Sequence, residues 1–271
     1  MQFVKVSRRL MFIASLLLGS QAFAADSYSF GVVPQQSAIH TLETWGPIVE
    51  KLSQQTGKKI ILKTSPDIVT FQKQLSEGAF DFAYMNPHHY ISFHDKSGYN
   101  ALTKAKDKRI KGILVVSKDS PINSVAQLKG MPVAFPKGAF AADIMPNAWL
   151  KQQGIEVDAH YVGSHEEGYK KVSQGMYMAS GGVMRTFKAG DEITRGTLKV
   201  LWTSDGYTPH AIAVHPRVPA ADSSAVQQAL VTLADDAEGQ AMVKALKLKG
   251  FEAAQDSDWN DVRALNLPPL Q

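Results

Sequence analysis

Phe71-Gln72-Lys73-Gln74-Leu75-Ser76-Glu77-Gly78-Ala79-Phe80-Asp81-Phe82-Ala83-Tyr84-Met85-Asn86-Pro87 holds a helix end, a glycine stop and a strand within seventeen residues. Ile68, Phe71 and Leu75 fall on one helical face, and Gly78 closes the helix. Asp81 to Met85 then reads as a strand ending at Asn86-Pro87, with a short helix carrying His88 to Phe93. Upstream, Tyr28 to Val33 reads as a strand and Pro34-Gln35-Gln36-Ser37 as a polar loop. Leu42, Trp45, Ile48, Val49 and Leu52 recur at helical spacing before Gly57, and Lys59 to Lys63 is a second strand. This β-α-β-α-β order predicts a parallel sheet covered by helices.

Downstream the pattern restarts. Ile110 to Ser117 reads as a strand crossing to a second unit, and Ile122 to Gly130 as a short helix. Strands are expected over 132–135, 157–162, 176–179 and 198–203. Helices are expected over 139–153 and from a Ser164 cap to about Gln174. Ala211 to Val214 reads as the return crossing. Helix follows from Ser223, with breaks near Asp235 and Gly250, and a last short helix covers 257–265. The prediction is a two-lobed α/β protein, each lobe a mostly parallel sheet flanked by helices. Residues 25–110 and 210–271 form one lobe and 111–209 the other. Ligands of open α/β sheets sit beyond the carboxyl ends of the strands, so the cleft between the lobes is the expected site.

Residues 1–24 have the order of a secretory signal: Lys5, Arg8 and Arg9, an apolar run from Leu10 to Leu18, then Ala22-Phe23-Ala24. Cleavage is expected after Ala24, or after Ala25. The pair Arg8-Arg9 partly resembles a twin-arginine signal, but paired arginines are also common in general secretory signals. Removing the three cations from 29 Lys+Arg leaves 26 against 25 Asp+Glu, so the basic character belongs partly to the leader and gives no support for a nucleic-acid partner. The chain has no cysteine, which excludes disulfides, thiolate metal sites and a lipid anchor at the cleavage point. The expectation is a soluble, monomeric periplasmic protein.

The sequence resembles the phosphonate, phosphite and phosphate solute-binding family of ABC transporters, which has the type II periplasmic binding protein fold. The resemblance rests on Phe30-Gly31-Val32-Val33-Pro34, Trp45 to Leu52, Phe71 to Tyr84 with Asn86-Pro87 and Tyr90, Ser124 to Gly130, and Val162-Gly163-Ser164-His165-Glu166-Glu167. It implies an oxyanion between the lobes, and ligand contacts at Tyr84, Asn86 and Tyr90 after the third strand. It also implies contacts at the turn Lys137-Gly138-Ala139, at His165, and at Asp205 and Tyr207. Gln36, in the loop after the first strand, joins this set.

Two departures stand out. The family's turn is a run of Ser and Thr, whereas Lys137-Gly138-Ala139 has no hydroxyl. It keeps its amides and adds a cation. The family's acidic Gly-Glu/Asp-Val-Asp-Ala strand is replaced here by Gly175-Met176-Tyr177-Met178-Ala179. A ligand carrying an amine would lack its carboxylate partner.

Other features read more plainly. His88 and His89, with His40 and His94, suggest no metal site, because adjacent histidines on a helix point in different directions. No cofactor is expected. Met176, Met178 and Met184 read as core rather than as a soft pocket wall. Arg185 has two equal readings, an anion contact or a surface pair with Asp191 or Glu192. No nucleophile–base motif, His-Glu-x-x-His spacing or Walker loop occurs, so the protein is not expected to be an enzyme. The expected function is capture of a small anionic or polar ligand, above all a phosphonate-, phosphite- or phosphate-like oxyanion, for an inner-membrane ABC permease. The alternatives are a sensor partner of a membrane histidine kinase or diguanylate cyclase and, more distantly, an enzyme using His165 with Glu166 or Asp205.

Overall fold

The computed structural model describes residues 27–35 and 37–270. The export signal expected over residues 1–24, and Gln36, lie outside the described residues. The first unit opens as β1 (Tyr28–Val32), α1 (Ala38–Thr56), β2 (Ile60–Lys63), α2 (Ile68–Ser76), β3 (Phe82–Met85), α3 (Pro87–Ser97) and β4 (Asn100–Ala105). The second contains β5 (Ile113–Ser117), β6 (Pro132–Pro136), α4 (Met145–Gln152), β7 (Asp158–Val162), α5 (His165–Ser173) and β8 (Ala179–Gly182). It ends with α6 (Met184–Ala189), α7 (Glu192–Gly196) and β9 (Leu198–Thr203). The chain then returns through β10 (Ala211–Val214), α8 (Ala220–Val231), α9 (Ala237–Ala245), β11 (Phe251–Ala253) and α10 (Asn260–Arg263).

Two sheets result, in the orders β11-β4-β10-β3-β1-β2 and β7-β6-β8-β5-β9. The two-sheet α/β class matches expectation, but the sheets are mixed rather than mostly parallel. Strands β2, β1 and β3 are parallel, as are β7, β6 and β8. The crossing strands β5 and β10 are antiparallel to their neighbours. The reason is topological. The β-α-β strands end at the gap between the sheets, whereas a crossing strand begins there. Ile113 at the start of β5 pairs with Gly182 at the end of β8, and Ala211 at the start of β10 pairs with Met85 at the end of β3.

Several local expectations shift. The helix expected over 139–153 is a π-type turn, Phe140–Ile144, continued by α4. The strand expected at 176–179 begins only at Ala179. Met176 is 57% exposed, and Met178 and Met184 are also exposed, so they are not core. Leu42 is exposed as well, while Trp45, Ile48, Val49 and Leu52 pack inward from α1.

The crossing segments pair with each other. Ile110 and Tyr207 exchange backbone hydrogen bonds at 2.8 and 2.9 Å, and Ser204 N–H donates to the Gly112 carbonyl at 3.0 Å. Arg109 pairs with Asp261 at 2.5 Å, tying this ladder to α10. Phe140 and Met145 belong to the same buried cluster as Met85, Ala211 and Trp259, so one apolar cluster joins both units.

Candidate functional site

The loops at the carboxyl ends of the parallel strands hold most of the expected site residues. In the larger unit these loops follow β1 and β3. In the smaller they follow β6 (Lys137 to Ala139), β7 (Gly163 to His165) and β8 (Val183 to Arg185). The β-α-β connections impose this placement, because each strand there is followed by a helix whose N-terminus points into the gap.

Tyr84 lies near the end of β3 with its ring 4.5 Å from that of Trp45 and stacked at 5.0 Å on His210. Burial raises its phenol pKa and the Arg185 charge opposes the rise. Arg185 lies in the first turn of α6, which follows β8. Burial also lowers the pKa of Lys108, and Arg185 lowers it further. His165 is lowered by burial, raised by Glu166 and lowered by Arg185. Its Nδ1 sits 2.9 Å from Thr186 Oγ1, which leaves Nε2 as the nitrogen that can meet a ligand. His210 is pushed down to about 3 by burial and by Lys108, and its Nε2 lies 3.0 Å from Gln35 Nε2. With the amide nitrogen as donor, that contact makes Nε2 an acceptor and His210 a neutral imidazole. The direct neighbours of Tyr84 are thus the rings of Trp45 and a neutral His210, while Lys108 and Arg185 are exposed cations whose charges are felt at His210 and at Tyr84 and His165.

Three expected contacts are corrected. Tyr90 is fully buried, where its hydroxyl donates to Asp256 at 3.0 Å and accepts from Ala101 N–H. Its ring packs 4.4 Å from Trp259, so it belongs to the core. Asn86 is buried and its Oδ1 accepts from His89 N–H at 2.8 Å, which makes it the N-cap of α3. At the turn after β6 the amides are engaged. Lys137 N–H donates to Val162, Ala139 N–H to Pro136, and Gly138 N–H to Asp143 Oδ2 at 2.7 Å. Gly138 holds φ +76°, a left-handed value that suits glycine.

The Lys137 side chain is exposed at this turn, and Asp205 is exposed beside the crossing ladder. Tyr207 sits in that ladder, its pKa raised by burial and by Asp205 and Asp261.

Arg185 forms no ion pair with Asp191 or Glu192 among the described residues; Asp191 instead caps α7 through Thr194 N–H at 2.8 Å. Lys108, His210 and Gln35 were not anticipated. Lys108 hides in the run Lys106-Asp107-Lys108-Arg109, which reads as solvated surface. His210 lies one residue before the return strand, and only the pairing of β10 with β3 brings it to Tyr84.

The acidic strand of the resemblance maps to Met176 and Met178, which precede β8 at the end away from the gap. What borders the gap is Gly181-Gly182. A Cβ on Gly181 would lie 1.9 Å from the Ala142 carbonyl oxygen, and one on Gly182 would lie 1.9 Å from the Tyr169 hydroxyl. His88 and His89 are buried, and among the described residues no group of three or more metal-ligating side chains gathers. Two recesses of about 310 and 270 Å3 lie elsewhere, along β11.

Paired crossing strands and two sheets with their strand ends opposed define a two-lobed α/β protein. The chain belongs to the family described as "ABC transporter, phosphonate, periplasmic substrate-binding protein", whose model matches residues 30–259. Members of that family are substrate-binding components of transporters, not enzymes. The fold is shared with PhnD1 of Prochlorococcus marinus, solved with methylphosphonate: 15% identity, 89% of this chain, 97% of that one and a TM-score of 0.75. A binding protein component of an ABC phosphonate transporter from Pseudomonas aeruginosa matches at 16% identity over 89% and 85%, with a TM-score of 0.73. A Xanthomonas citri protein bound to chloride matches at 14% identity over 89% and 96%, with a TM-score of 0.78. No helix among the described residues is long and apolar enough to cross a membrane.

Proposed function

We propose that this protein captures a small oxyanion of the phosphonate, phosphite or phosphate class in the periplasm and delivers it to an inner-membrane ABC permease. The observation that carries the reading is the stack of a neutral His210 on Tyr84 at strand ends that also present His165 and Arg185 at the starts of α5 and α6. The lobes, taken as 25–110 with 210–271 and as 111–209, close about the ladder between Ile110 and Tyr207. Binding and closure suffice, with no covalent step. An arginine fork and neutral imidazole donors match tetrahedral oxyanions, and loss of bulk water strengthens each contact. The bare glycine pair beside the gap supports a ligand without an amine.

The test is a thermal-shift and calorimetric series on the mature protein with phosphate, phosphite, methylphosphonate and 2-aminoethylphosphonate. Simple oxyanions are expected to raise the melting temperature, and the aminated ligand to do so less. Stabilisation grows with ligand concentration above the dissociation constant. A series in which no oxyanion shifts the melt at millimolar concentration would falsify the reading.

A further inference from the structure

Two turns of the smaller unit that lead into helices each have a glycine amide already taken by one of the chain's own acids. After β6, Asp143 is only 6% exposed, and both of its oxygens are engaged. Gly138 N–H donates to Oδ2 at 2.7 Å, and Asn147 Nδ2 donates to Oδ1 at 2.7 Å. Burial raises this carboxyl's pKa, while the bonds from Gly138 and Asn147 and the charge of Lys137 pull it back. After β7, Gly163 N–H donates to Glu167 Oε2 at 2.8 Å, and Lys171 meets the other oxygen at 2.7 Å. Backbone amides at such turns attract oxyanions, and here a carboxylate of the protein takes one in each turn. An oxyanion resting on the Lys137-Gly138-Ala139 turn must displace Asp143 from Gly138 and then remain beside its charge.

Building on the oxyanion reading above, we infer that Asp143 is a specificity-determining residue: it makes the cleft accept oxyanions bearing one negative charge and penalises those bearing two. Arg185 and Lys108 supply attraction that either ligand can use. Asp143 subtracts from it in proportion to the ligand's charge, since like charges a few ångströms apart repel strongly at low dielectric. Asp143 also holds the turn in shape, so its carboxyl serves in place of the missing hydroxyls.

The test compares methanesulfonate, one charge, with methylphosphonate, two charges at pH 8.5, on the mature wild type and on Asp143→Asn. The variant keeps the size of the side chain and an oxygen for Gly138. Calorimetry at low salt reads both dissociation constants. The wild type is expected to bind methanesulfonate at least as tightly as methylphosphonate. In Asp143→Asn the balance should move toward methylphosphonate by about tenfold or more. A wild type that prefers the doubly charged ligand overturns the inference without any variant, as does an unchanged ratio in a folded Asp143→Asn. In both of those cases the oxyanion reading stands. If neither ligand binds either protein, that reading falls and this inference falls with it.

Discussion

The helix starts facing the gap are finished differently in the two units. In the larger one, Ser37 Oγ accepts from His40 N–H at 3.2 Å and Asn86 Oδ1 accepts from His89 N–H at 2.8 Å, both neutral acceptors; of the helices after β1, β2 and β3 only α2 is capped by an acid, Asp67, at 2.7 Å. In the smaller one, carboxylates of Asp143 and Glu167 take amides at the turns before α4 and α5. A helix N-terminus carries about half a positive charge, which a neutral cap leaves available and a carboxylate cancels. The larger unit thus offers backbone polarity and uncharged rings. In the smaller unit α6 starts without a capping side chain, and it carries Arg185 in its first turn.

The largest expected effect tests that division. Arg185→Ala should weaken oxyanion binding by about 2–5 kcal/mol, a factor of roughly thirty or more, because it removes the cation at the start of α6. Calorimetry checks this, and a loss within error would mean that the helix dipoles of the smaller unit still act. Next comes acid sensitivity in the larger unit. His89 and His210 have folded pKa values of about 3, against an ordinary value of 6.5. Below pH 6.5 the unfolded chain takes up protons that the folded form refuses. Stability is therefore complete above that pH and declines from there toward pH 3, by up to about 1.4 kcal/mol per pH unit for each histidine. Urea midpoints at pH 7.5 and 5 measure it, and equal midpoints would contradict the burial of these rings.

Smaller still is Asn86→Ala, which removes a neutral cap and should cost about 1 kcal/mol in a urea titration. A change near zero would show that the start of α3 is held by packing alone. The smallest effect is expected at Glu167→Gln, where an exposed acid loses its charge but keeps its size. The melting temperature should move less than in Asn86→Ala, while binding of the doubly charged methylphosphonate should improve slightly. A larger drop in stability than in Asn86→Ala would make Glu167 a structural strut rather than a dipole quencher.

The repeated β-α-β order was legible because strand and helix periods alternate cleanly around Gly57 and Gly78. The Ser164 cap was legible too, and its oxygen accepts from Glu167 N–H at 3.1 Å. Strands β4 and β11 escaped notice because they join the sheet only through the distant β10 and each other, and β11 is only three residues long. Family membership followed from ordered loose motifs, but individual roles did not. Tyr90 and Asn86 sit in the right motif, yet packing against Trp259 and capping of α3 decide what they do. Asp143 was invisible as a site feature because it lies five residues past Gly138 inside an apparent helix, and only the π-type turn folds it back. Lys108 and His210 become neighbours of Tyr84 through the two crossings, which pair residues about a hundred positions apart.

The bare strand end at Gly181-Gly182 also bears on how such a protein can change its diet. A carboxylate for an amine-bearing ligand would have its shortest route here, since glycine becomes aspartate or glutamate by a single nucleotide change. Either replacement drives its first carbon into the Ala142 carbonyl or the Tyr169 hydroxyl. A lineage starting from this sequence must first move a neighbour, or place its acid on another loop, so the broadening of its ligand range on this strand takes at least two steps.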